Sequence, residues 1–187
     1  MTDDAQPREA LKRVAVALKQ AGVRFALGGG YAAWAHGAPE PLHDVDFVVA
    51  EQEAEQARGA LSAAGLRVEQ PPEDWLFKVF TEGTMVDVVH RLNGVPVDDT
   101  IMDRAAEQEV LSIPIPVLAA TDVLVTKMNA LTEHECDYSK LLPASRALRE
   151  QVDWERLRSE TSGNDFAVAF LVLLDRLGVL PSPAASV

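Results

Sequence analysis

The chain has 187 residues, 48% hydrophobic and 25% charged, with 17 basic against 29 acidic residues and a net charge of −12. A chain of this size can bury roughly 70% of its unfolded surface, so one domain holds together without a disulfide or structural zinc. The single cysteine, Cys136, excludes an internal disulfide and suits a reducing cytoplasm. The acidic balance disfavours extensive non-specific nucleic-acid binding, which rests on phosphate neutralisation by Lys and Arg. The polar start MTDDAQPREA does not read as a signal peptide. No apolar run approaches the ~20 residues that span a bilayer, so a cytoplasmic protein with no membrane partner is expected.

Residues 5–21 place Ala10, Leu11, Val14, Ala15 and Leu18 at helical spacing and end at Gly22. VRFAL follows as a short buried strand running into Gly28, Gly29 and Gly30, then YAAWAH as a helix of one or two turns halted by Gly37. VDFVVA reads as a strand, and EQEAEQARGALSAAG as a helix with Gly65 at its stop. LFKVFTEGTMVDVVHRL predicts two strands around a Glu82-Gly83 turn. EVLSIPIPVLA predicts a short edge strand, where its two prolines are tolerated. From Thr121 the pattern turns helical, with Pro143 expected to start or kink a helix and the tail PSPAASV to fray. The expected organisation is an α/β core over residues 1–118 and a helical C-terminal region over 119–187 packed on it.

Chemistry concentrates between residues 25 and 90. Side chains alternate along a strand, so Asp44 and Asp46 point the same way with Cα atoms roughly 6–7 Å apart. Two such carboxylates repel unless a cation lies between them, and Mg²⁺ is commonly held by carboxylates together with substrate phosphates. Asp87 is flanked by apolar residues in a second strand, where an unpaired charge is costly. If the two strands are neighbours, three carboxylates converge. The glycines supply the complement: a helix N-terminus is an anion site, and glycine lets backbone approach a phosphate closely. Phosphate-cradling turn and carboxylates together point to phosphoryl or nucleotidyl transfer.

These residues resemble the nucleotidyltransferase superfamily with the DNA polymerase β-like fold. Within it, the chain is similar to the small bacterial nucleotidyltransferases, which include antibiotic nucleotidyltransferases and the toxins of toxin–antitoxin pairs. The resemblance rests on LGGGYAAWAHG, HDVDFVV and MVDVV, in that order, and covers roughly residues 20–95. It implies an α+β fold with a mixed sheet of four or five strands, helices on one face, and a helical half closing a cleft on the other. By position it implies that Gly28, Gly29, Gly30 and Lys127 bind the nucleotide. It implies that Asp44, Asp46 and Asp87 are catalytic and hold Mg²⁺, as a two-metal site. The implied reaction moves an NMP from an NTP to a hydroxyl of a small molecule, a protein or an RNA, with an antitoxin partner if the chain is a toxin. Relatives carry R-x-T-x-D before the first aspartate, whereas this chain reads EPLHD. Glu40 and Leu42 stand where Arg and Thr or Ser are usual. An acid there predicts weaker nucleotide binding unless another cation compensates, and a fold-retaining binding module without catalysis is the alternative reading.

Other groups invite blander readings. Lys78 alternates with Phe77 and Val79, which allows it to face the site, but reads rather as an exposed strand lysine, and Arg146, Arg149, Arg156 and Arg158 read as a solvated helix face. Trp34, Trp75 and Trp154 read as packing residues. His36, His43 and His90 lie beside the motifs, His43 facing away from the carboxylates. His134, Glu135, Cys136 and Asp137 match no familiar zinc spacing, and Asp137 with Lys140 gives only a loose family match.

Overall fold

The computed structural model describes residues 5–81 and 83–181. The first half runs α1 (Ala5–Gln20), β1 (Phe25–Leu27), α2 (Gly29–Ala35), β2 (Val45–Val49), α3 (Ala54–Ala63), β3 (Arg67–Glu69), β4 (Leu76–Thr81) and β5 (Thr84–Val89). There follow β6 (Arg91–Leu92), β7 (Val95–Pro96), α4 (Asp99–Asp103), β8 (Ala106–Val110) and β9 (Ile113–Val117). Four helices follow among the described residues: α5 (Ala120–Asn129), α6 (Tyr138–Leu148), α7 (Trp154–Glu160) and α8 (Asp165–Arg176). Glu82 and the tail beyond Pro181 lie outside the described residues. No helix among those described is long and apolar enough to cross a membrane.

The elements form where the apolar periodicity places them. In α1, Leu11, Val14, Ala15 and Leu18 are all fully buried, the i, i+3, i+4, i+7 stripe that packs a helix on a sheet. That helix lies against β2 and β5. On those strands Val45, Phe47, Val86 and Val88 are 1% exposed or less, while the alternate positions Asp46 and Asp87 stay half-buried. One sheet face is therefore core and the other carries the carboxylates.

The sheet is larger than the four or five strands expected. Seven strands run in the order β3-β4-β5-β2-β1-β9-β8. Strand β1 is antiparallel to β2 and parallel to β9, and β2 is parallel to β5, so the sheet is mixed. The extra strands are β3, three residues long, and a complete β8–β9 hairpin where one edge strand was expected. Strand β9 is internal despite Pro114 and Pro116. The Leu118 amide donates to the Leu27 carbonyl, so even-numbered nitrogens of β9 face β1. Strand β1 is three residues long and pairs with β9 at Leu27↔Val117, so the ladder that the prolines interrupt is short. Pro143 likewise departs from expectation: it is the sixth residue of α6, which continues to Leu148. Its ring removes the N–H that would reach the Ser139 carbonyl, one turn from the helix start.

The hairpin β6–β7 turns at Asn93-Gly94, with φ of +51° and +81°. Asn-Gly is a strong two-residue hairpin signal because both positions need positive φ. The hairpin's tip is latched by Asn93 Nδ2, which donates to the Thr126 carbonyl of α5 at 3.0 Å.

Candidate active site

Strand register builds the site as a row. Glu69 pairs with Lys78, Lys78 with Asp87, and Asp87 with Asp46, all in register across β3, β4, β5 and β2. Register partners share a face, so these four side chains lie side by side on the open face of the sheet. Asp44 sits one residue before β2 begins, with an exposed side chain. Lys78 does not read out into solvent as expected: its Nζ donates to Asp87 Oδ1 at 2.9 Å.

The next position along the row is occupied by the glycines. Gly28 N–H donates to the Asp46 carbonyl at 2.8 Å, carrying the chain from β1 into α2 against the back of Asp46. At Gly29, where φ is +53°, a Cβ would stand 1.7 Å from Asp46 Oδ2. At Gly28 a Cβ would meet Val48 at 2.8 Å, and at Gly30 it would meet Pro41 at 2.9 Å. The Gly30 amide donates to the Asp46 carboxylate. The glycines thus let the turn fold directly onto the carboxylate. Gly29→Ala is expected to push the Asp46 carboxylate aside and lower both the melting temperature and metal–nucleotide affinity, as read by melting curves and calorimetry. An alanine variant that matched wild type in both would show that the contact is slack.

Electrostatics single out Asp46. Burial first, then the charge of Asp87, raises its carboxyl to about 6, with Asp44 adding to the rise. Lys127 and the Gly30 amide work in the opposite direction. Lys127 lies in the last turn of α5 and shares the wall of a cleft of about 530 Å³ with Asp46 and Gly29. Among the described residues, no three His, Cys, Asp or Glu side chains are gathered closely enough to hold a metal ion as they stand. The donor set nevertheless fits a hard divalent cation. Three carboxylates offer only oxygen, and burial together with their mutual repulsion disfavours charging Asp46 without a cation.

The rest of the cleft was not legible as a site. Its floor beyond Asp46 is Val48 and Val89, its far wall the β6–β7 hairpin, and Trp75 stands at its side 41% exposed. Trp75 is therefore not a packing residue like Trp154, which is buried with Nε1 donating to the Arg149 carbonyl. The Trp75 carbonyl accepts from both His90 and Arg91 amides, which fixes its backbone. Asn93-Gly94 in the sequence could have announced this wall. Of the histidines, His36 is a brace: Nε2 lies 2.8 Å from the Leu118 carbonyl and Nδ1 3.0 Å from Gln151 Oε1. Burial holds His90 below the usual histidine range.

Glu40 is not a loose acid beside the cleft. Arg8 of α1 grips it with two hydrogen bonds, Nε to Oε1 at 2.7 Å and a terminal nitrogen to Oε2 at 2.5 Å. Arg8, with help from Tyr31, holds the Glu40 carboxyl below the usual range. The charge that replaces the expected arginine is thus already neutralised from α1. Leu42 is 68% exposed.

Comparison with known proteins agrees with this geometry. A family model described as "Uncharacterised nucleotidyltransferase" matches residues 2–183. No curated protein sequence matches the chain. Among solved structures, the antibiotic-resistance factor ANT(2'')-Ia has a TM-score of 0.65 at 12% identity, covering 94% of this chain and 98% of that one. The lincosamide antibiotic adenylyltransferase LnuA, solved with lincomycin bound, has a TM-score of 0.54 at 13% identity, covering 74% and 94%. An antigenic nucleotidyltransferase-like protein from Paracoccidioides brasiliensis has a TM-score of 0.50 at 12% identity, covering 96% and 95%. At these identities the likeness is one of fold.

Proposed function

Since the chain belongs to the nucleotidyltransferase family, we propose that it uses Mg²⁺ to transfer an NMP from an NTP to a hydroxyl of a small-molecule acceptor. The observation that carries this reading is the convergence of Asp46, Asp87, the Gly28–Gly30 turn and Lys127 on one face of the sheet, with Gly29, Asp46 and Lys127 all lining one cleft. In this reading residues 1–118 are the catalytic core, and the helical region 119–187 supplies the wall that bears Lys127.

Each residue then has a role. Asp44 and Asp46 would hold Mg²⁺, and Asp87 would complete the set and take the acceptor's proton. When bound, the metal stabilises charge on the attacking and leaving oxygens of an in-line displacement. The backbone of Gly28–Gly30 would receive the phosphates without a Cβ intervening, and Lys127 would reach the triphosphate from α5. Positioning and charge stabilisation account for most of the rate in such transfers. The apolar floor of Val48 and Val89 with the exposed Trp75 favours a compact acceptor with an apolar face. The same site acting on a protein or RNA hydroxyl would instead make the chain a toxin with an antitoxin partner. The neutralised Glu40 removes the main argument for a binding module without catalysis.

Calorimetric titration with each NTP and Mg²⁺ tests the reading. Saturable, Mg²⁺-dependent binding of one nucleotide is expected, weakened roughly 10- to 100-fold in Lys127→Ala by loss of a charged hydrogen bond. No binding by wild type at millimolar nucleotide would sink it.

A further inference from the structure

We propose that Lys78 is a positioning residue that counter-charges Asp87 and thereby limits how tightly the carboxylates bind a divalent cation in the absence of nucleotide. The inference rests on the nucleotidyl-transfer reading for its biological sense, but its physical content stands on the ion pair alone. Lys78 comes from β4, on the site face, between the buried Phe77 and Val79. Its Nζ lies 2.9 Å from Asp87 Oδ1, with the two side chains 26% and 25% exposed. A pair this enclosed is screened less than one at the surface. The lysine's other register partner, Glu69, is exposed and lies 3.4 Å from the Arg67 guanidinium, which leaves Asp87 as the anion that Lys78 meets closely.

The charge balance gives the consequence. Asp44, Asp46 and Asp87 present three negative charges, and the two lysines answer from opposite sides. Lys78 sits against Asp87, while Lys127 acts on Asp46 from α5. A divalent cation entering alone is drawn by three carboxylates and opposed by two ammonium groups. A triphosphate brings further negative charge that overcomes that opposition, so metal and nucleotide bind together far better than metal alone. The lysine engages Oδ1 and leaves Oδ2 of Asp87 for a ligand, so it orients the carboxylate without consuming it. Placing a unit positive charge about 5 Å from a divalent ion opposes binding by roughly tenfold even at the dielectric constant of water.

The test is Mn²⁺ binding to the full chain without nucleotide, followed by electron paramagnetic resonance, for wild type, Lys78→Gln, Lys78→Met and Lys78→Arg. The Kd for free Mn²⁺ is expected to fall about tenfold in the two neutral variants and to stay near wild type in the arginine variant. Lys78→Gln retains a donor to Asp87, so it carries the comparison if the methionine variant folds poorly. Unchanged or weaker Mn²⁺ binding by Lys78→Gln would overturn the proposal, as would tighter binding by Lys78→Arg, because charge would then not be the cause. A parallel titration with Mn²⁺ and a non-hydrolysable NTP analogue separates the two readings. If wild type shows no metal-dependent nucleotide binding, the transfer reading falls, while the free-Mn²⁺ series still decides the role of Lys78.

Discussion

Asp46→Asn is expected to lower nucleotidyl transfer on the order of 10³-fold or more, and at the same time to raise the melting temperature at neutral pH. The first effect follows from losing the carboxylate around which the site is built. The second follows from its environment. Folding raises the Asp46 carboxyl from 3.8 to about 6, through burial and the charges of Asp87 and Asp44. A raised acid binds more protons folded than unfolded, so its contribution to stability falls as pH climbs from about 4 to about 6 and is fully unfavourable above that. A shift of this size corresponds to at most about 3 kcal/mol. At roughly 2–4 °C per kcal/mol for a chain of this length, asparagine would melt at most about 6–12 °C higher. The amide oxygen of asparagine still accepts from the Gly30 N–H, so the turn keeps its anchor. Melting curves in EDTA at pH 4 and pH 7.5 decide the matter. The advantage should be present at pH 7.5, vanish at pH 4, and shrink on adding Mg²⁺, which relieves the same repulsion in wild type. An asparagine variant that melts at or below wild type at pH 7.5 would show that Asp46 is not held at a cost.

The difference between what was legible in the sequence and what was not lies in the range of the interactions. The Gly28–Gly30 turn, the Asp44-x-Asp46 step and Asp87 could be read because each is a local pattern: glycine where backbone must approach, and aspartate inside an apolar strand. Their meeting could not be read, because Asp46↔Asp87 depends on a parallel pairing reached through α3, β3 and β4. Glu40 was misleading for the same reason. Its partner Arg8 lies 32 residues away on α1, and composition gives no hint of that contact. Lys78 sits between two apolar residues, as an exposed strand lysine would, and only the register of β4 against β5 puts it on Asp87. Pro114 and Pro116 point to a single edge strand, whereas β8 and β9 form a full hairpin. The three-residue β1 asks few ladder bonds of β9, so the prolines are tolerated inside the sheet. Arg156, read as one of a solvated row, is drawn inward by a buried aspartate on α5.

That aspartate, Asp122, gives the opposite outcome from Asp46 for the same chemical change. Its side chain is 6% exposed and accepts from Arg104 at 2.9 and 2.7 Å and from Arg156 at 3.0 Å. Here a buried acid is surrounded by cations rather than by other acids, and its hydrogen bonds raise the Arg104 guanidinium above its ordinary range. Asp122→Asn removes the charge and puts an NH2 donor where Oδ2 accepts from Arg104 Nε, so one hydrogen bond is lost and two donors meet. Breaking a buried pair from one side costs about 3–5 kcal/mol. Arg104 and Arg156 are 33% and 22% exposed, so water takes up part of the loss and the lower end applies, about 3 kcal/mol. A fall of roughly 6–12 °C in melting temperature is expected. The aspartate ties α5 to the residue closing α4 and to α7, and the last turn of α5 carries Lys127 to the cleft. Nucleotide affinity should therefore weaken along with stability, whereas in Asp46→Asn affinity falls and stability rises. Melting the two asparagine variants beside wild type at pH 7.5 in EDTA should give the order Asp46→Asn, wild type, Asp122→Asn. If Asp122→Asn melts at or above wild type, the three-residue cluster is not what holds α5 in place.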